Sequence, residues 1–111
     1  RKCDILVTMS QNALNKHLQD LKENGILLVD RDEVKEVPKV KAKVFSIPAT
    51  KIAETELKSR IYANTIMLGT LTRITGVVSK EAVKKAIVNS VSKETKETNL
   101  EGFEKGLGLV E

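Results

Sequence analysis

The 111-residue sequence has one cysteine, one histidine, no tryptophan and only 3% aromatic residues. A single thiol, Cys3, can close no internal disulfide and supplies no metal-ligand spacing, which fits a reducing, cytoplasmic compartment. Cys3 is read as a small residue entering a strand. Phe45, Tyr62 and Phe103 are too far apart to form the stacking platform of single-strand binders. The net charge is +4, but basic and acidic residues alternate, as in Lys93-Glu94-Thr95-Lys96-Glu97, which argues against nucleic acid as a partner. No apolar run approaches the roughly 20 residues of a membrane helix. The first residues also lack the order of a secretion signal. With 41% hydrophobic and 31% charged residues, the composition is that of a globular chain, and its length predicts one domain over residues 1–111.

What is present is an alternation of short apolar runs and helical periodicities. Cys3-Asp4-Ile5-Leu6-Val7-Thr8-Met9 reads as a strand that opens the chain directly, without an initiator Met, as a chain starting within a fold does. Ser10 is placed to cap a helix whose apolar side is Ala13, Leu14, His17, Leu18 and Leu21, closed by Asn24-Gly25. Ile26-Leu27-Leu28-Val29-Asp30 has the continuous apolar character of a strand buried on both faces. The charged stretch 31–43, which contains Pro38, is a surface loop. Val44-Phe45-Ser46-Ile47-Pro48 is a third strand, and Thr50 is placed to cap a helix through Ile52, Ala53 and Leu57. This order predicts an α/β fold with a parallel sheet and right-handed crossovers.

From Ser59 the pattern changes. Ile61, Ala63, Ile66, Met67, Leu68, Leu71 and Ile74 cover nearly the whole circumference of a helix ending at Gly76, which predicts burial within the fold or against a partner. Ala63, Gly69 and Thr70 permit close backbone approach. Ser79 is placed to cap an ordinary surface helix with an Ala82, Val83, Ala86 and Ile87 stripe. Leu100, Phe103, Glu104 and Leu107 predict a last helix weakened by Gly102, Gly106 and Gly108.

In an open parallel sheet, ligands gather at the carboxyl ends of the strands. Those ends place Ser10, Gln11 and Asp30 as candidate cofactor contacts. Ser10 is also explained as a cap, and Gln11 is the freer of the two. Asp30 stands where dinucleotide folds bind a ribose, yet no glycine-rich turn precedes it, and loop capping or ion pairing accounts for it better. His17 lines up with leucines and reads as a half-buried packing residue. No nucleophile, base and acid can be assembled around it, and no metal set is apparent. Asn64, an amide in an otherwise apolar helix, needs hydrogen-bond partners either within the fold or on another chain. With Met67 it forms the candidate partner interface.

Four segments in order carry a family likeness: Asp4-Ile5-Leu6-Val7-Thr8-Met9-Ser10-Gln11, Gly25-Ile26-Leu27-Leu28-Val29-Asp30, Ile47-Pro48-Ala49-Thr50-Lys51-Ile52-Ala53, and Ala63-Asn64-Thr65-Ile66-Met67-Leu68-Gly69. Together they resemble the gamma subunit of 2-oxoacid:ferredoxin oxidoreductases. The resemblance implies a Rossmann-like module that carries no catalytic centre of its own. It also implies partner subunits holding thiamine diphosphate and iron–sulfur clusters, with coenzyme A as co-substrate and ferredoxin as electron acceptor. The module's implied role is assembly and the coenzyme A side of the site. Members of the family begin with a strand, a Gly-Arg-Gly-Gly-Gln-Gly type loop and a helix. These 111 residues lack that element, so the chain is expected to match the carboxy-terminal portion, with a sheet incomplete at its amino-terminal end. The rival readings are an independent nucleotide-binding α/β domain and a purely structural interaction module.

Overall fold

The computed structural model describes residues 2–110. The chain divides into two compact units, residues 1–48 and 49–111.

The first unit holds β1 (Cys3–Thr8), α1 (Gln11–His17), β2 (Leu21–Asp30) and β3 (Lys43–Ile47). The three strands form one parallel sheet in the order β1-β2-β3. Its central strand β2 has Leu27, Leu28 and Val29 fully buried, as the continuous apolar run predicts. Leu27 and Val29 face α1 and pack with Leu14 and Val34, flanked by Leu6, Leu18 and Leu21. Helix α1 is shorter than its periodicity predicts: it stops at His17, a 3₁₀ turn follows over Leu18–Asp20, and Leu21 already belongs to β2. Asn24-Gly25 therefore closes no helix. It forms a bulge in β2, where the pairing passes from Cys3↔Leu21 to Ile5↔Ile26. Asn24 takes a left-handed φ of 66°. A Cβ on Gly25 would lie 2.6 Å from the Asp4 carbonyl oxygen, so only glycine fits.

The second unit holds α2 (Ala49–Glu56), α3 (Ala63–Thr75), α4 (Lys80–Ser90) and α5 (Lys96–Leu107), with a 3₁₀ turn over Arg60–Tyr62 before α3. Thr50 lies inside α2 and is buried, so it is not the cap the sequence predicts. Ser59 accepts from the Ile61 N–H at 3.3 Å, and Gly76 ends α3 with a φ of 62°. Ser79 caps α4 as predicted, accepting from the Ala82 N–H at 3.1 Å.

The centre of this unit is the contact of α3 with α5. Ile66 and Phe103 are buried there, and Met67 is buried elsewhere on α3. A Cβ on Gly69 would stand 2.2 Å from the Phe103 carbonyl oxygen, and one on Gly106 2.0 Å from that of Ile66. Far from weakening α5, Gly106 lets the two backbones meet. Thr70 Oγ1 donates to the Gly106 carbonyl at 2.8 Å, and Thr65 Oγ1 donates to Asn99 Oδ1 at 2.7 Å.

Candidate functional site

The carboxyl ends of β1 and β2 are shaped by side chains that bind backbone. Thr8, buried at the end of β1, donates through Oγ1 to the Ser10 carbonyl at 3.0 Å and accepts from the Ser10 N–H at 3.4 Å. This fixes the turn into α1. The Ser10 hydroxyl oxygen accepts from the Ala13 N–H at 3.1 Å, the capping role predicted for it, and its own proton can still be donated outward. Sequence reasoning passed over Thr8; a threonine two residues before a helix-capping serine is the signal that could have found it.

Gln11 is not the freer residue the sequence suggests. Its Oε1 accepts from the Lys35 N–H at 2.8 Å and the Glu36 N–H at 2.9 Å. Its Nε2 donates to the Glu36 carbonyl at 2.8 Å and to Asn15 Oδ1 at 3.2 Å. Both lone pairs and both N–H groups are thereby used within the fold.

Asp30 is fully buried, and its Oδ1 accepts from the Asp32 N–H at 3.1 Å. Its carbonyl accepts from Glu33 and Val34 at 3.0 and 2.9 Å, while Arg31 donates its N–H to the Ile47 carbonyl at 2.9 Å. This is the loop-capping alternative, and such burial leaves no carboxylate surface for a ribose. The sequence-predicted trio is thus brought together at one end of the sheet, with Ser10 alone among the three offering an exposed polar group.

The predicted pair on α3 separates. Asn64 is exposed, so water satisfies its amide, whereas Met67 is 3% exposed and belongs to the core. The helix is not buried all round: Ile61, just before it, is 66% exposed and Leu68 37% exposed, on the same side as Asn64. His17 is also exposed rather than half-buried, with Nδ1 3.8 Å from Asp20 Oδ2.

Among the described residues, no group of three His, Cys, Asp or Glu side chains could hold a metal. The four thiolates of an iron–sulfur cluster do not fit a sequence with one cysteine. No helix among the described residues is long and apolar enough to cross a membrane.

A parallel sheet whose polar strand ends carry structural caps, followed along the chain by a helical unit, defines an α/β module. Residues 1–109 match the family of pyruvate ferredoxin/flavodoxin oxidoreductases. The chain is 50% identical over 107 residues to the 2-oxoglutarate synthase subunit KorC of Methanocaldococcus jannaschii, covering 95% of this chain and 57% of that protein. It is 38% identical over 89 residues to the pyruvate synthase subunit PorC of Thermotoga maritima, covering 76% and 46%. In structure it is similar to the gamma subunit of a keto/oxoacid ferredoxin oxidoreductase from Geobacter sulfurreducens, with a TM-score of 0.90, 38% identity and coverage of 94% of this chain and 62% of that one. The chain belongs to the pyruvate ferredoxin/flavodoxin oxidoreductase family and is similar to gamma-type subunits within it. It spans 57% to 61% of the length of the three KorC relatives it matches.

Proposed function

We propose that this chain is the gamma-subunit portion of a 2-oxoacid:ferredoxin oxidoreductase complex. The complex decarboxylates a 2-oxoacid oxidatively, transfers the acyl group to coenzyme A and passes the released electrons to ferredoxin. The observation that carries this reading is the match of almost the entire chain to a gamma subunit in both sequence and structure. In this reading the chain is non-catalytic, and thiamine diphosphate and the iron–sulfur clusters belong to partner subunits. The 2-oxoacid to assay first is 2-oxoglutarate, because the 50% identical relative is a 2-oxoglutarate synthase subunit.

On this reading we assign two surfaces. The β1–α1 turn is assigned to the coenzyme A side, with Ser10 as the direct contact and Gln11 and Asp30 holding the neighbouring loop in place. The exposed side of α3 with Ile61, Asn64 and Leu68 is assigned to a partner subunit, and Met67 supports that side from the core.

The test is purification of the full-length protein from its source with its native partners. A co-purifying thiamine-diphosphate subunit and ferredoxin reduction that requires both a 2-oxoacid and coenzyme A are expected. A protein that assembles with no such subunit and supports no such reduction would overturn the reading. Within an active complex, Ser10→Ala is expected to raise KM for coenzyme A by roughly tenfold, the loss of one hydrogen bond. An unchanged KM removes Ser10 from that site.

A further inference from the structure

Parallel strands need a crossover, commonly a helix. Between β2 and β3 the connection is instead residues 31–42, which run without regular secondary structure after an initial turn. Its two ends are anchored differently from its middle. At the start, the Asp30 carboxylate and carbonyl hold the N–H groups of Asp32, Glu33 and Val34, and Val34 is buried with Leu14, Leu27 and Val29. At the far end, the Asn24 N–H donates to the Lys41 carbonyl at 2.6 Å.

Between these anchors, Lys35 and Glu36 are tied to α1 by the side chain of Gln11. Its amide pairs with Glu36 as a neighbouring strand would, accepting the N–H at 2.9 Å and donating to the carbonyl at 2.8 Å, and it also takes the Lys35 N–H at 2.8 Å. These bonds are at the surface, where water competes for each partner. Val37, next along, is exposed and adds no core contact. Releasing Val34, by contrast, would uncover the apolar core.

We propose that Gln11 is a latch, and that residues 35–40 form a strap that lifts from α1 as a local unit between Val34 and the anchored Lys41. The sheet stays intact when the strap lifts, because no strand pairing passes through these residues. Val40, at the end of the strap, lines a cleft of about 190 Å³ with Leu18, Leu21, Lys22 and the anchored Lys41, so the strap's release widens that cleft. Such low-stability segments open without global unfolding. The latch operates whatever complex the chain joins.

Residue-resolved amide hydrogen exchange on the full chain tests this. In Gln11→Met, the Lys35 and Glu36 amides are expected to exchange faster by about tenfold or more, the scale of losing one or more surface hydrogen bonds, while Val34 and the β2 amides keep their rates. Unchanged rates at Lys35 and Glu36 overturn the latch. Equal acceleration of Val34 and β2 also overturns it, since Gln11 would then be an ordinary stabilising residue. Gln11→Glu keeps both acceptor contacts and loses the donor to Glu36, so an intermediate rate is expected. If Gln11→Glu matches Gln11→Met, the acceptor bonds do not hold the strap and the proposal fails. Should Gln11→Met not fold, the Gln11→Glu profile against the wild type decides by the same criteria.

Discussion

The sheet unit and the helical unit solve the same problem, ordering a short chain, by opposite means. In the sheet unit, polar side chains bind backbone: Thr8 fixes the β1–α1 turn, Asp30 closes the loop after β2, and Gln11 holds residues 35 and 36. In the helical unit, side chains are removed so that backbone can meet backbone, with Gly69 and Gly106 at the α3–α5 contact. The difference teaches that residues of one type carry different weight by location. Polar groups at strand ends are consumed by the fold, while glycines inside a helix are packing residues and not defects.

The comparison can be broken most forcefully at the core of the sheet unit. Leu27→Ala empties a fully buried position beside Leu14, Val29 and Val34, and is expected to cost roughly 2 to 5 kcal/mol in denaturant unfolding. A loss below about 1 kcal/mol would mean that the core does not organise this unit.

A sharper contrast lies within α5. Gly106→Ala drives a methyl against the Ile66 backbone and is expected to destabilise by about 1 to 3 kcal/mol. Gly102→Ala meets the flexible end of Leu57 at 3.2 Å, with Ile66 and Thr65 at ordinary contact distance, and gains helix propensity, so it is expected to be neutral or stabilising by up to about 1 kcal/mol. Thermal unfolding of the two variants side by side decides. If they behave alike, close helix approach is not why glycine stands at 106.

The smallest effect concerns charge. Lys105 donates to Glu56 at 2.7 Å, and this hydrogen bond, partly opposed by desolvation and helped by the charges of Glu56 and Glu101, holds its ammonium above the ordinary value of 10.5. A raised folded-state value means a stabilisation that is complete below that ordinary value and lost as pH rises through the shifted one. Glu56→Gln is therefore expected to cost under about 1 kcal/mol at neutral pH, since the pair is partly exposed. The cost should vanish in strongly alkaline solution. A cost that persists there would show that packing, not charge, is responsible.

Much of this was legible along the chain. Runs of apolar residues announced β1, β2 and β3, and Ser10 and Ser79 announced helix starts, because burial on a sheet and capping at a helix end are local demands on residue type. The likeness of four ordered segments to gamma subunits was legible too, and the family match over residues 1–109 agrees with it. The end of α1 was not, since Leu18 and Leu21 continue a helical spacing although the backbone has already turned into β2. Asn64 and Met67 could not be told apart either. Spacing places both on α3, and only the packing of the folded chain decides which side of that helix is core.

By itself, the sequence determined the kinds of element, their order and the family, because these rest on periodicity, caps and residue identity read a few positions at a time. Tertiary structure alone decided that Gln11 spends its whole amide on residues 35 and 36 and on Asn15, that Asp30 is buried while its carboxylate caps the loop after β2, and that Gly106 lies against Ile66. Each of those depends on a partner distant along the chain or on the course of a loop in space. Whether a polar group is free to act is a property of what surrounds it, and the surroundings exist only once the chain has folded.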